Sequence, residues 1–560
     1  MNPESPLSRA FDGAATASLR AADIAAGPVR FLLSDLDARG MVLDSLHVVR
    51  HGELALDLWR WPHEPARRHT LHSATKSFTA AAVGLATAEG LLRIDDYVAP
   101  FFEDRFPSPP GPHMRQMRIR DLLTMQSGNT REISGATTRL RADGWINDFL
   151  GEPVELPPGT HFQYSSMSSH ALSSIVTLVS GVAVDEYLGP RLFEPLGITD
   201  YAWQRDPEGV SSGGNGLSVR AVDLLKFGVL HLQDGVWQGR RLLPEGWAAQ
   251  ASFPHAPRAH SRGGYGFQFW CFPRGAYGAE GRFGQNCLVL PEQDAVISTT
   301  SSMSEHTYRA LTGLLLDAFA EAFTLGAAKS SPEDEGWIAE RAAAGRRPLP
   351  LPSDPGPAGT TASYRFEPNE RGLETVRIAA ESDAVTITLR DERGEHVIRH
   401  GLGTWIPGHT GASVWRLHHS YQDDDANILA GAAWAGSTLT LRWLFVETPF
   451  EDTIVLEFAG SRVTWRHGSN INSSSTELPP VTGISAHCLL ELFLSKIPKI
   501  CDDSTASRPP ERRTDEDPRA PRRRHRPRDH RPDDRGAGGR QRDPWTRARD
   551  RDRRRRVRQP

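Results

Sequence analysis

The sequence has little cysteine, no long apolar run and none of the commonest catalytic signatures, and each shortage removes a class of protein. Its four cysteines in 560 residues, Cys271, Cys287, Cys488 and Cys501, are too few and too scattered for a disulfide scaffold or a zinc-spaced ligand set. A reducing compartment is the simpler reading. No apolar stretch approaches the ~18 residues that cross a bilayer, and the N-terminus lacks the roughly 7–15-residue apolar core of a secretory signal. The expected location is therefore cytoplasmic. The patterns G-x-x-x-x-G-K-[ST], H-E-x-x-H and paired C-x-x-C are missing, which removes the P-loop and usual zinc readings. What is present is globular: 38% hydrophobic and 24% charged residues, with 50 Gly and 41 Pro, enough chain for several domains.

The net charge of −4 joins two unlike parts. Residues 501–560 hold 21 Arg, no Lys and 12 acids, leaving 44 basic and 57 acidic residues in the first 500. That basic segment has one residue in all from Leu, Ile, Val and Phe, and eight prolines. It cannot bury enough surface to offset its ordering entropy and is expected to be disordered. Interspersed acids weaken its field and only Trp545 could stack on a base, so neither a nucleic acid nor a membrane is expected as partner. The expected partner is a small-molecule substrate.

Residues 43–59 (LDSLHVVRHGELALDLW) alternate on both sides of His51-Gly52, the pattern of a hairpin turning at that pair. Ser73–Glu89 follows as an Ala-rich helix stopping at Gly90. Residues 91–217 mix short helical stretches with loops such as FPSPPGP (106–112) and LPPGT (156–160), and long loops of this kind shape sites. Arg220–Gln233 and His306–Phe323 read as helices, and 265–272, 287–290 and 295–299 as strands. A segment rich in Pro, Gly and Ala at 326–360 reads as a linker. Alternating segments then dominate, with Asp391-Glu392-Arg393-Gly394 as a hairpin loop. The expected division is an N-terminal segment (1–29), a first domain (30–325), a linker (326–360), a small all-β domain (361–468), and a linker with a disordered Arg/Pro/Asp-rich tail (469–560).

Ser73-Ala74-Thr75-Lys76 opens the helix directly after the hairpin. Positions i and i+3 share a helix face, so the lysine amine can reach the serine hydroxyl. Positive potential at the helix N-terminus opposes protonation of Lys76, and burial depresses it further, which leaves a neutral amine to accept the serine proton. The same helix end presents the Ser73 N–H to a developing oxyanion. Further along lie IRDLLTMQSG (119–128), PPGTHFQYSS (157–166), LFEPLGITDYAW (192–203) and GGNGLSVRAVDLLKFG (213–228).

In this order these phrases resemble the serine β-lactamase-like hydrolases of the penicillin-binding superfamily, in particular class C β-lactamases, related esterases and 6-aminohexanoate-dimer hydrolases. The resemblance covers about residues 30–325. It implies an α+β fold, a β-lactamase/transpeptidase-like antiparallel sheet flanked by helices with a helical subdomain. It implies Ser73 as acylated nucleophile, Lys76 as its proton acceptor, and Tyr164 as the tyrosine of a Y-x-N motif, held as phenolate or sharing a proton with Lys76. Ser166 stands where that motif has Asn, so the grip on a substrate amide weakens. The slot normally filled by K-T-G falls on Ala276-Tyr277-Gly278, without the cation and hydroxyl that hold a β-lactam carboxylate. Ala279 N–H is the expected second oxyanion donor, and Ser166, Trp203, Tyr277 and Gly278 the expected substrate-binding residues. His409-Thr410-Gly411 has the form of a third-motif variant but lies more than a hundred residues too late. No metal or cofactor is expected. The reading is an esterase-like serine hydrolase acting on a small ester or neutral amide; an amidase on linear amides, and an inactive binding or sensing protein on the same fold, stay open.

Overall fold

A computed structural model describes residues 18–133, 138–257, 263–352, 356 and 359–486. Cys488, Cys501 and the Arg-rich tail lie outside them. The 43–59 hairpin forms with Arg50 opposite Glu53, and both turn residues, His51 and Gly52, have positive φ (51° and 79°), as a two-residue turn between right-twisted strands requires. These strands enter a seven-stranded antiparallel sheet in the order Glu53–Trp59, Leu43–Arg50, Ala295–Ser301, Gln285–Leu290, Tyr277–Gly281, Trp270–Cys271, Gly264–Tyr265. The first and last strands of the domain thus pair at one side of the sheet, and alternation along them sorts two cores. Leu46, Val48, Leu288, Leu290 and Ile297 pack with Leu32 and Leu36 of helix Ala26–Ala38 and with Leu311, Leu315 and Phe319 of helix Tyr308–Leu325. Val49, Cys287, Val289 and Val296 belong to the other core. There Phe78 of helix Thr75–Ala88 stacks on Phe227 of helix Ala221–Leu232, with ring centroids 3.8 Å apart. This is the β-lactamase/transpeptidase-like α+β arrangement. Among the described residues no single helix is long and apolar enough to cross a membrane.

Four boundaries differ from the sequence reading. The first helix begins at Ala26, and Ile24 and Ala25 before it are already fully buried. The expected strand 265–272 is two short strands separated by a turn, with Gln268 at φ 61°. The expected linker contains helix Pro332–Gly345, started by a Ser331 cap, Pro at its first turn and three acids there. It lies on Ala26–Ala38 through Arg30 with Glu333 and Asp334, and through Arg341 with Asp37. Lastly, the all-β domain does not stop at 468. Strand Glu477–Ser485 pairs on one side with Arg462–Ser469 and on the other with Thr361–Phe366.

That strand joins the two halves of a ten-stranded sheet, which a parallel pairing of Gly401–Leu402 with Gly431–Ala432 closes into a barrel. Its interior is filled by Ile387, Leu441, Trp443, Ile454, Leu456 and Trp465 among others. The barrel docks on the first domain near the nucleophile helix. Thr70 N–H donates to Glu447 O (2.9 Å), Arg68 pairs with Glu447 (3.2 Å) and Arg60 with Glu451 (3.0 Å). Phe283, in the turn before strand Gln285–Leu290, is buried in the barrel's own core cluster.

A chain ended at Gly468 would leave Thr361–Phe366 and Arg462–Ser469 with open edges. It is expected to aggregate or lose its cooperative thermal transition, whereas a chain ended at Ala486 keeps it; circular dichroism melts of the two truncations test this.

Candidate functional site

Ser73, the expected nucleophile, lies in a short 3-10 turn, His72–Ala74, running into helix Thr75–Ala88. His72 adopts φ 48°, an uncommon conformation for a residue with a side chain. Several contacts over-determine it. Leu71 N–H donates to Leu217 O (2.8 Å), and Leu217 N–H donates to Thr75 Oγ1 (3.2 Å). Strand Tyr277–Gly281 approaches so closely that a Cβ on Gly281 would lie 2.2 Å from Leu71 O. Glycine is required there because backbone meets backbone.

Lys76 is 1% exposed and Ser73 is partly exposed, so the amine is sealed in while the hydroxyl stays reachable. Lys76 Nζ donates to Ser73 Oγ (3.1 Å), Ser166 Oγ (3.2 Å) and Gly214 O (2.7 Å). Gly214 can come this near because Gly213 and Gly214 lie flat on helix Ser166–Ser180: a Cβ on Gly213 would sit 2.1 Å from Ser169 O, and one on Gly214 2.7 Å from Ser166 O. None of the three partners is a carboxylate. Burial depresses Lys76 to about 7, with the cationic Arg139 and Arg282 adding to the fall and Glu132 opposing it. A substantial fraction is therefore neutral amine at neutral pH.

Tyr164 stacks on Trp270 (5.7 Å, 11° between planes) and its ring faces Lys76 Nζ at 4.8 Å. Burial raises its phenol above the usual tyrosine value, and a hydrogen bond with Ser73 only partly offsets this. The expected phenolate is thus disfavoured. Burial favours the neutral form of both groups, the free amine of Lys76 and the intact phenol of Tyr164, because desolvation penalises an anion and a cation alike.

The structure brings together Ser73, Lys76, Tyr164 and Ser166, with strand Tyr277–Gly281, carrying Gly278 and Ala279, beside the nucleophile turn. It does not bring Tyr277 to the cleft: that side chain is 3% exposed and packs edge-on against Phe269 in the core, because its register points it toward the helix layer. Trp203 donates from Nε1 to Ser212 O (2.8 Å) and lines, with Gly216 and Tyr421, a cavity of about 290 Å³ between the domains.

Other groups at the site left no local signal in the sequence. Gln268 donates to Leu122 O and Leu123 O, and accepts from Ser169 Oγ through its side chain and from Ser77 Oγ through its carbonyl. It ties the nucleophile helix to Ser166–Ser180. From the barrel, Tyr421 sets its ring edge-on to His72 (5.1 Å) and under the Arg139 guanidinium (4.0 Å), while Arg139 Nη2 donates to His419 O (3.0 Å). Arg139 Nε and Nη1 are buried without a hydrogen-bond partner among the described residues. The Gly213-Gly214 pair was the one signal available beforehand, since adjacent glycines in an ordered phrase mark a close backbone approach.

The family described as Beta-lactamase matches residues 29–318, just over half of the chain. The chain belongs to the beta-lactamase family. It is similar to the 6-aminohexanoate-dimer hydrolase of Paenarthrobacter ureafaciens, 28% identical over 317 residues that make up 51% of this chain and 80% of that protein. Among solved structures it is similar to a putative 6-aminohexanoate-dimer hydrolase from Bacillus anthracis (21% identity, TM-score 0.45, 54% of this chain and 85% of that one). Another is EstCE1, a hydrolase with promiscuous acyltransferase activity (17% identity, TM-score 0.44, 53% and 98%).

If neutral Lys76 is the base, the acylation rate of Ser73 rises with pH through an apparent pKa of about 7 and falls below it as the amine protonates. Fluorophosphonate labelling rates across pH 5–9, taken as about two units either side of that value, check this, and Lys76→Ala is expected to abolish the titration.

Proposed function

We propose that the chain is a serine hydrolase working through an acyl-enzyme on a small ester or neutral amide. The observation that carries this is Lys76 Nζ, depressed toward neutrality and 3.1 Å from a partly exposed Ser73 Oγ. Lys76 takes the Ser73 proton as Oγ attacks the carbonyl carbon. The backbone N–H groups of Ser73 and Ala279 receive the oxyanion. The Tyr164 phenol protonates the leaving group and is reprotonated from Lys76, so the proton taken from Ser73 leaves with the alcohol or amine. In the second half a water yields its proton to the same pair, attacks the acyl carbon, and Ser73 departs reprotonated.

Ala276-Tyr277-Gly278, in place of a cation and hydroxyl, favours an ester or neutral amide over a β-lactam. The 6-aminohexanoate-dimer hydrolase relative supports a linear amide as the alternative substrate. A second reading, an acyl group bearing a carboxylate, is favoured by the buried Arg139 with Nε and Nη1 unpartnered, because an unpaired guanidinium out of water is costly until an anion meets it.

Ser73→Ala is expected to abolish both p-nitrophenyl acetate hydrolysis and fluorophosphonate labelling, and persistence of both removes the assignment. Tyr164→Phe should cut turnover by about 10²–10⁴-fold, the usual worth of one acid–base group, with an unchanged circular dichroism spectrum. Absence of any stoichiometric labelling in the wild type would instead favour a non-catalytic binding protein.

A panel of short-chain esters, linear amides, nitrocefin and monoesters of dicarboxylic acids separates the substrate readings. Preference for the dicarboxylate monoesters over neutral esters, lost in Arg139→Gln when both are compared at a pH above the Lys76 titration, would select the anionic acyl group.

A further inference from the structure

A second polar cluster is buried away from Ser73, where the barrel meets the first domain. Asp44 on strand Leu43–Arg50, His63 in the loop after Glu53–Trp59, and His69 on strand Arg68–Thr70 are 0%, 7% and 3% exposed. Their ligand-capable atoms all lie within 4.8 Å of one another. His69 Nε2 is 3.3 Å from Asp44 Oδ2 and His63 Nε2 is 3.4 Å from Asp44 Oδ1, while the two imidazole centroids are 5.2 Å apart.

Three features distinguish this cluster from an ordinary buried ion pair. First is spacing. The same chain has a buried carboxylate flanked by two histidines in the barrel, Asp452, and there His418 and His467 both sit at 2.8 Å, normal donor distances. At Asp44 both contacts are longer by half an ångström. Two ligands about 2.0–2.1 Å from one tetrahedral zinc ion lie about 3.3 Å apart, the separation between each imidazole Nε2 and the carboxylate oxygen it faces, Oδ2 for His69 and Oδ1 for His63.

Second is the ring tautomer. His69 Nδ1 lies 3.1 Å from Thr70 O, and a carbonyl only accepts, so Nδ1 carries the proton. Its Nε2 is turned inward to Asp44 Oδ2 (3.3 Å). The His63 ring is likewise hydrogen-bonded to the Val446 main chain. One ring nitrogen committed to the backbone and the other turned inward is the usual support of a metal-bound histidine.

Third is an unsatisfied acceptor. Asp44 Oδ2 accepts from Ser302 Oγ (2.6 Å) and is hydrogen-bonded to His69 Nε2 (3.3 Å), but the fully buried Oδ1 has no hydrogen bond among the described residues. Arg60 Nη1 is 3.5 Å from it, outside bonding geometry, because both Arg60 Nη atoms are held on Glu451 Oε1 at 3.1 and 3.0 Å. Glu451, which also pairs with Arg442 (3.1 Å), thus draws the Arg60 guanidinium away from Asp44.

We propose that Asp44, His63 and His69 bind one divalent transition-metal ion, with zinc the best match to this two-imidazole, one-carboxylate set, and that a water fills the fourth position. The ion is structural. It fastens the strand that leads, four residues on, to Ser73, and it fixes the imidazole that contacts Val446 of the barrel. It touches neither the nucleophile nor its base, so the proposal stands apart from the hydrolase reading.

The full-length protein, equilibrated with zinc and passed into metal-free buffer, is expected to retain about one zinc per chain by inductively coupled plasma mass spectrometry. His63→Ala and His69→Ala should each retain under about a tenth of that, in line with the loss of one ligand from a three-ligand site. Cobalt in place of zinc should give the visible d–d bands of a tetrahedral site in the wild type alone. A chelator should lower the wild-type melting temperature, and zinc should restore it. If the variants misfold, the wild-type measurements decide alone: a folded protein that holds under a tenth of an equivalent of zinc and gives no cobalt spectrum overturns the proposal. Metal content is read whether or not Ser73 reacts, so its failure and that of the hydrolase reading are told apart.

Discussion

Removing one ammonium group from water is the constraint on which the rest of the site depends. Lys76 is enclosed by its own helix, by the start of helix Ser166–Ser180 and by Gly214, and what it meets there is two hydroxyls and a carbonyl. Neutral acceptors satisfy its hydrogen bonds without stabilising its charge. A carboxylate in the same position would restore the charge and remove the base. The glycine pair at 213–214, the side-chain brace of Gln268 and the strained His72 can all be understood as holding that dry enclosure at hydrogen-bond distance from a serine still open to solvent.

Burial acts oppositely on the neighbour. The phenol of Tyr164 shares the low-dielectric surroundings, and there the anion is the disfavoured form. One environment therefore pushes the two groups toward a common neutral state from opposite sides. Stacking on Trp270 fixes the phenol's plane, so its donor direction is a property of packing rather than of the loop that carries it.

The barrel is part of the cleft's construction. Tyr421 and His419 project from it onto His72 and Arg139, and Phe283 of the first domain is buried in the barrel's core. A wall of the cleft is thereby supplied by residues more than three hundred positions from the nucleophile. This also alters the electrostatics inferred from the third motif. The strand beside Ser73 carries no cation at Ala276-Tyr277-Gly278, yet Arg139 and Arg282 both act on Lys76 through space. Positive charge reaches this site from other elements of the fold.

Much of this was legible where the physics is local. Alternation around His51-Gly52, the Ala-rich helix ending at Gly90 and the one-turn spacing of Ser73 and Lys76 depend on neighbours in sequence, and all three stand in the structure. Helix Pro332–Gly345 carried its own Ser cap, Pro and acidic first turn, and was passed over because its composition resembles a linker's. Strand Glu477–Ser485, with Pro479 and Pro480 inside it, reads poorly as a strand because proline cannot donate to a ladder; it is held by two partners far away in the chain. Tyr277 was misjudged for a different reason. Its motif position is defined by sequence, but which face of the sheet its ring occupies is set by register.

The amino-acid order alone determined the chemical vocabulary: a serine and a lysine one turn apart, a tyrosine in a loop phrase, paired glycines, and two domains of different secondary-structure pattern. Those features follow from spacing and propensity, which act over a few residues. Which amine is dry, which phenol is neutral, which arginines face the cleft and which histidines meet Asp44 were decided only by tertiary packing. Solvation and charge depend on everything within several ångströms in space, and the residues that supply them here are drawn from both domains at separations no local pattern encodes.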